Sequence, residues 1–403
     1  MKIAMVSEHA SPLAVLGGVD AGGQNVHVAA LAAAMARHGH EVTVYTRRDD
    51  PELPPTIATD DGYWVTHVPA GPATALPKDE LLPYIGTFGQ FLDDEWSRCP
   101  ADVAHAHFWM SGIATQLAAR RSGVPTVQTF HALGVVKRRF QGADDSSPKQ
   151  RQTLESVVAE HADWVAATCT DEVFELIRMG RARSRISVVP CGVDAEVFNP
   201  TGEQAEHGQR PRILSVGRLV PRKGFDTMIR ALPGIRDAEL VIAGGPSADR
   251  LDADPEARRL RALADELGVG HRVRLLGAVR HPDMPALYRS ADLVACTPWY
   301  EPFGIVPLEA MACSVPVIAN AVGGFTDTVV DGVTGRLVPP QNPVKCAQAA
   351  NAILQDPWVA RSLGSAGRDR AVSRYSWDRI ALDTLRIYDR LVPSAAESMA
   401  QSR

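Results

Sequence analysis

Short apolar runs and helical stretches alternate along this chain from end to end. Residues 2–6 (KIAMV) form a run of strand length, and 24–38 carries the small and apolar positions of a buried helix, stopped by Gly39 just past its last turn. Further apolar runs at 41–46, 103–106, 126–129, 164–167 and 186–189 keep the same rhythm. Strands alternating with helices predict a parallel sheet built of βα units. Residues 202–212 (GEQAEHGQRPR) are polar and rich in breakers, as a linker is. The pattern then restarts, with strands at 213–216, 239–243, 273–276, 293–296 and 315–319 and a helix at 224–232. The expected fold is α/β: two Rossmann-like parallel-sheet domains facing a cleft, residues 1–200 and 201–375, with ligands at the carboxyl ends of the strands.

Composition narrows the class. At 403 residues the chain exceeds the roughly 250–300 residues at which one core stops growing, which agrees with two domains. A net charge of -5 gives no general attraction to nucleic acid. The six cysteines (Cys99, Cys169, Cys191, Cys296, Cys313 and Cys346) are scattered without a C-x-x-C pair. That argues against a zinc site or a disulfide framework and fits a reducing cytoplasm. The opening MKIAMVSEHA is broken by Glu8 and His9 and does not read as a signal peptide. No apolar run approaches the ~20 residues of a membrane span, so no stable membrane insertion is expected.

Three segments carry candidate chemistry. Gly17-Gly18-Val19-Asp20-Ala21-Gly22-Gly23-Gln24-Asn25 lies between the first strand and the first helix. Glycines there let backbone N–H groups approach an anion at a helix start, although a plain turn has the same composition. The loop is neither G-x-G-x-x-G nor a P-loop, which weakens a dinucleotide-dependent oxidoreductase reading. Arg218 and Lys223 bracket the loop after the first strand of the second half. They are a solvated basic loop or fixed positive charge for a diphosphate leaving group. In Tyr300-Glu301-Pro302-Phe303-Gly304-Ile305-Val306-Pro307-Leu308-Glu309, Pro307 suits an early helix position. The N–H groups of Phe303, Gly304, Ile305 and Val306 then suit a pyrophosphate, Glu309 a ribose and Glu301 sugar hydroxyls. The competing reading makes both glutamates partners of a helix dipole.

Two metal readings arise. His105 and His107 project to one side of a strand, but no third ligand accompanies them, so structure or cleft lining is favoured. Asp252-Ala253-Asp254 spells a D-x-D, yet it runs straight into a helix-forming stretch, and capping by acids explains it better. No metal or other cofactor is expected.

Together these segments resemble the family 4 retaining glycosyltransferases of the GT-B fold. The likeness rests on Glu301 and Glu309 with seven residues between them, on Gly217-Arg218-Leu219 with Lys223-Gly224, and on the Gly22-Gly23 loop. It runs from Lys2 through Ser376-Trp377, nearly the whole chain. His105-Ala106-His107-Phe108-Trp109 and Thr129-Phe130-His131-Ala132-Leu133-Gly134 look like the inositol-phosphate N-acetylglucosaminyltransferases of mycothiol synthesis and the sucrose-phosphate synthases. The resemblance implies a nucleotide-sugar donor, UDP-linked by preference, a retained anomeric configuration, and a final helix (376–395) crossing back onto the first domain. It implies that Arg218 and Lys223 hold the leaving diphosphate, Gly22 and Gly23 present N–H groups to it, Glu309 binds ribose, Glu301 binds the sugar, and His131 meets the sugar near the reacting carbon. A satisfied structural histidine is the alternative for His131.

The acceptor side departs from those relatives. They use a lysine, a tyrosine, a threonine and an arginine for an acceptor phosphate. Lys78 and Arg151 match, but Phe108 and Ala132 stand where the hydroxyls should be, with Asn25 beside them at the first helix. A cyclitol, a sugar or a sugar phosphate is therefore the expected acceptor. Lys137-Arg138-Arg139 adds a basic spot, but Asp144 and Asp145 nearby favour a solvated mixed-charge loop. The alternatives are a GDP-mannose-dependent transferase acting on a lipid-linked acceptor, and a non-catalytic nucleotide-sugar binding protein. Whether the protein is a homodimer stays open.

Overall fold

A computed structural model describes residues 1–14, 22–206, 208–302 and 304–392. The chain divides into two units: Met1–Pro190 with the segment from Trp377 onward, and Cys191–Ser376.

The first unit is built on eight strands: β1 (Lys2–Val6), β2 (Glu41–Arg47), β3 (Thr56–Ala58), β4 (Trp64–Val68), β5 (Val103–His107), β6 (Thr126–Thr129), β7 (Trp164–Ala167) and β8 (Ile186–Val188). Their order is β3-β4-β2-β1-β5-β6-β7-β8. β3 pairs antiparallel with β4, and the other pairings are parallel. The second unit carries β9 (Arg212–Val216), β10 (Glu239–Ala243), β11 (Val273–Gly277), β12 (Leu293–Cys296), β13 (Val317–Asn320) and β14 (Arg336–Val338) in the order β11-β10-β9-β12-β13-β14, all parallel. Strand order reverses between β1 and β5 in one sheet and between β9 and β12 in the other. These are the switch points where an open α/β sheet leaves a crevice at its carboxyl edge.

The central strands are apolar on both faces because helices cover both sides. β5, for example, is buried at all five positions although two are histidines. The first helix spans Gly23–Arg37, and Gly39 takes φ +83°, the left-handed geometry that ends a helix. The strands β3, β4 and β14 were not expected; β3 and β14 have three residues each, too few for a periodic signal.

The expected boundary at 200/201 is corrected to Pro190/Cys191. The reason is burial: Val193 and Phe198 lie in the core of the second unit, where Phe198 packs against Tyr288 with ring centroids 5.8 Å apart. Arg212, assigned to the linker, starts β9 with its guanidinium buried against Glu239 and Ser290. The helix Trp377–Leu391 packs on the first unit, where Arg37 donates to Asp378 at 2.9 Å. Among the described residues no helix is long and apolar enough to cross a membrane.

Candidate active site

In the second unit the loops after β9 and β12 are laced together. Gly217 N donates to Ala243 O at 3.0 Å, and Gly224 takes φ +67° at the end of the Pro221–Lys223 turn. A β-carbon on Gly224 would collide with the carbonyl of Thr297. Thr297 Oγ1 donates to Gly224 O at 2.9 Å, and Trp299 N donates to Arg222 O at 2.9 Å. This fixes Lys223 against the glutamate loop, where its Nζ donates to Glu301 Oε2 with both side chains mostly buried. Arg218 is exposed on the same loop.

Gly304, at φ +99°, caps the helix Ile305–Ala312. Ile305 and Val306 thus supply first-turn N–H groups that no intrahelical carbonyl can accept. Phe303 lies outside the described residues, as do residues 15–21 of the glycine loop. Glu309 sits in the second turn, where Tyr288 Oη donates to its Oε2 at 2.6 Å. Burial pushes the Glu309 carboxyl up to about 7, against the lowering effect of the Tyr288 bond.

In the first unit Gly22 N donates to Asn25 Oδ1 at 3.0 Å, and Asn25 Nδ2 donates to Ser11 O at 2.9 Å. Asn25 therefore ties the start of the Gly23–Arg37 helix to the chain after β1. Phe108, at φ +82° beyond β5, has the Arg151 guanidinium 5.1 Å above its ring. Arg151 is buried and shared: Nε donates to Glu155 at 2.7 Å, one terminal nitrogen to Ser147 at 3.1 Å and the other to Ala132 O at 2.6 Å. Glu155 also accepts from Gly134 N at 2.7 Å, so this ion pair clamps both ends of the Ala132–Gly134 turn. Lys78 is half-buried in the Lys78–Glu80 turn, which is joined to the same region by Ser146 Oγ donating to Asp79 at 2.8 Å. Lys137 pairs with Asp145 and Arg139 with Glu175, as a mixed-charge loop would.

His131 belongs to a histidine group that the sequence showed only in part. His27, His105, His107 and His131 are all buried, and His27 lies 5.0 Å from His131 and 5.4 Å from Trp377, ring to ring. The hydrogen bonds fix one tautomer. Thr129 Oγ1 donates to Ala166 O at 3.0 Å, so it accepts from His105 Nε2 at 2.9 Å, and His105 Nδ1 then accepts from Tyr388 Oη at 2.7 Å. Burial drives His105 down to about 3 and His27 to about 4; His107 and His131 lie well below the ordinary imidazole value for the same reason, aided by their neighbours. Among the described residues no group of His, Cys, Asp or Glu is arranged to hold a metal. The D-x-D aspartates act locally: Asp254 Oδ1 accepts from Ala257 N at 2.8 Å as the cap of the helix Pro255–Glu266, and Asp252 pairs with Arg261.

Sequence reasoning missed Glu8 and His9. They follow β1 after Ser7, at the switch point; His9 Nδ1 lies 2.7 Å from Glu8, Ser111 donates to Glu8, and the His9 ring meets Phe108 edge-on at 4.8 Å. An acid and a histidine at a strand's carboxyl end were the available signal.

Known proteins of similar sequence and fold are glycosyltransferases. Residues 201–370 match the model for glycosyl transferases group 1, and residues 22–192 match a glycosyl transferase 4-like domain. A D-inositol 3-phosphate glycosyltransferase 1 from Catenulispora acidiphila is 38% identical over 406 residues, covering 96% of this chain and 95% of the relative. The D-inositol 3-phosphate glycosyltransferase of Kribbella flavida is 38% identical, over 99% of this chain and 97% of its own. Among solved structures, sucrose-phosphate synthase from Thermosynechococcus elongatus superposes with a TM-score of 0.88 at 33% identity, covering 97% and 98% of the two chains.

Proposed function

The chain belongs to the group 1, family 4-like glycosyltransferases of the GT-B fold, and from that premise we propose that it transfers a hexose, of glucose or N-acetylglucosamine type, from a UDP-linked donor to a small neutral polyol with retention of configuration. The observation that carries this reading is the Lys223–Glu301 pair at the β9/β12 switch point. One residue puts positive charge where a diphosphate departs, and the same bond holds the carboxylate that accepts sugar hydroxyls. Arg218 adds a second cation, Ile305 and Val306 add N–H groups at a helix start, and Glu309 accepts ribose hydroxyls. His131 is assigned to the donor sugar near its reacting carbon. With two cations at the diphosphate, and with Asp252 and Asp254 engaged in pairing and capping, the transfer proceeds without a metal ion. Six free cysteines agree with a reducing, cytoplasmic setting.

The acceptor class follows from Phe108, Ala132 and Arg151. Neither Phe108 nor Ala132 brings a side-chain hydroxyl, and the Arg151 charge is already met by Glu155. The relatives' names point to a cyclitol phosphate; with Phe108 and Ala132 this chain lacks two hydroxyl donors for such a phosphate. Initial rates test this with UDP-glucose and UDP-N-acetylglucosamine against free and phosphorylated cyclitols and sugars, in EDTA. Faster transfer to the free acceptors, unaffected by EDTA, is expected. Phosphorylated acceptors turning over faster would contradict the acceptor class, and loss of turnover in EDTA restored by Mg²⁺ would contradict metal independence.

Glu309 makes nucleotide binding pH-dependent. Its carboxylate is the acceptor, so UDP affinity is full above about pH 7 and falls as the group protonates below it. Tyr288→Phe removes the donor that favours ionisation. The midpoint of Kd against pH then moves upward, with roughly tenfold weaker binding at pH 7. Titrating UDP from pH 5.5 to 8.5 checks this; an unmoved midpoint would count against it.

A further inference from the structure

His131 sits just beyond β6 with φ +62°, a left-handed geometry that a β-carbon disfavours and that persists only where neighbours enforce it. Its ring is held by a specific bond. His131 Nε2 lies 2.9 Å from His107 Nδ1, with the two rings inclined by only 23° and their centroids 5.1 Å apart. His107 is fully buried at the end of β5 and cannot drift, because His105 lies 4.3 Å behind it, ring to ring. His105 is itself pinned from both nitrogens by Thr129 and by Tyr388 of the Trp377–Leu391 helix.

We propose that His107 is a positioning residue for glycosyl transfer, acting through its Nδ1 bond to His131 Nε2. The inference rests on the assignment of His131 to the donor sugar. A neutral imidazole has one N–H and one lone pair. In a bond between two such rings the state of His107 Nδ1 dictates the state of His131 Nε2, and with it the tautomer of His131. Any ring hydrogen bond from His131 to the sugar must then use Nδ1, in an orientation that His107 fixes. His107 touches no substrate in this scheme.

The test compares His107→Asn, whose amide falls near the Nδ1 position, with His107→Gln, whose amide falls near Nε2, and with the ring-sized apolar His107→Phe. His131→Ala serves as the reference. His107→Asn is expected to keep kcat within about fivefold, whereas His107→Gln and His107→Phe lower it about 10–100-fold, the usual range for a residue that orients a functional side chain. UDP affinity and the donor KM should stay within about twofold of the parent in every His107 variant. Parental kcat in His107→Gln, or equal losses in the Asn and Gln variants, would overturn the positioning role. If His107→Phe does not fold, the Asn and Gln contrast decides alone. A His131→Ala enzyme at the parental rate would instead sink the assignment of His131 underneath; a slow His131→Ala enzyme with a parental His107→Gln sinks only the positioning.

Discussion

Lys223→Ala is expected to lower kcat by about 10²–10³-fold, the usual cost of deleting one preorganised group that stabilises charge developing in a transition state. The effect falls on kcat because the diphosphate gains charge as the sugar bond breaks, so the lysine matters most at that point. The setting amplifies it. Lys223 is mostly buried, on a loop tied to the segment after β12 by Thr297 and Trp299. Removing it also leaves Glu301 without its lysine, so part of the loss is misplacement of the carboxylate. A double-mutant cycle with Glu301→Gln separates the two: losses that fail to add identify the pair as one unit. Arg218→Ala lowers kcat in the same direction. Steady-state kinetics with the donor varied decides the matter, and unchanged kcat in both single variants would refute the role of the basic loop.

The second large effect is acid lability of the first unit. His27 and His105 have folded-state values near 4 and 3, and His107 and His131 lie well below the ordinary imidazole value. On unfolding these rings return to about 6.5. Their contribution to stability is therefore complete above pH 6.5 and is lost as pH falls toward the folded values. Glu172, pushed up to about 7 by burial, and Glu155, also raised by burial, act in the opposite sense and favour the folded state as pH falls. The four histidines outnumber the two glutamates, so unfolding takes up protons and stability falls as pH drops from about 6.5 toward 4.5. Calorimetry across that range should show the first unit's transition falling steeply. The second unit's transition is expected to fall less, since Glu309 in that unit has a raised value. His105→Gln should flatten the first unit's slope by about one proton. A transition that stays level from pH 7 to 5 would show that the rings are protonated without cost.

The sequence conveyed the alternation of elements because the central strands are covered on both faces and read as apolar runs. Runs 126–129, 164–167, 239–243 and 293–296 coincide with β6, β7, β10 and β12. Where burial came from elsewhere in the chain, the reading was blind. Val193 and Phe198 look like loop residues, yet the second unit's core claims them, and that moved the boundary. The site followed the same division. Glu301, Gly304, Glu309, Arg218 and Lys223 stand in two short segments whose spacing signals their chemistry. The histidine group draws on two strand ends, a helix and the chain beyond Trp377, and no local pattern joins His27 to His131. The pairing of Arg151 with Glu155 was legible as an i,i+4 spacing, but its use in clamping the Ala132–Gly134 turn was not.

The central claim is that the second unit is built for a uridine diphosphate sugar. The measurement that tests it most directly is the melting temperature of the purified protein with UDP, GDP, ADP and TDP, their common sugar conjugates, and NAD(P) as controls. A ligand that binds only the folded state stabilises it by about 2.7 kcal/mol at one hundred times its Kd. A clear rise with UDP and UDP-sugars and none with NAD(P) is expected. A rise with NAD(P) alone, or none with any nucleotide sugar, would contradict it.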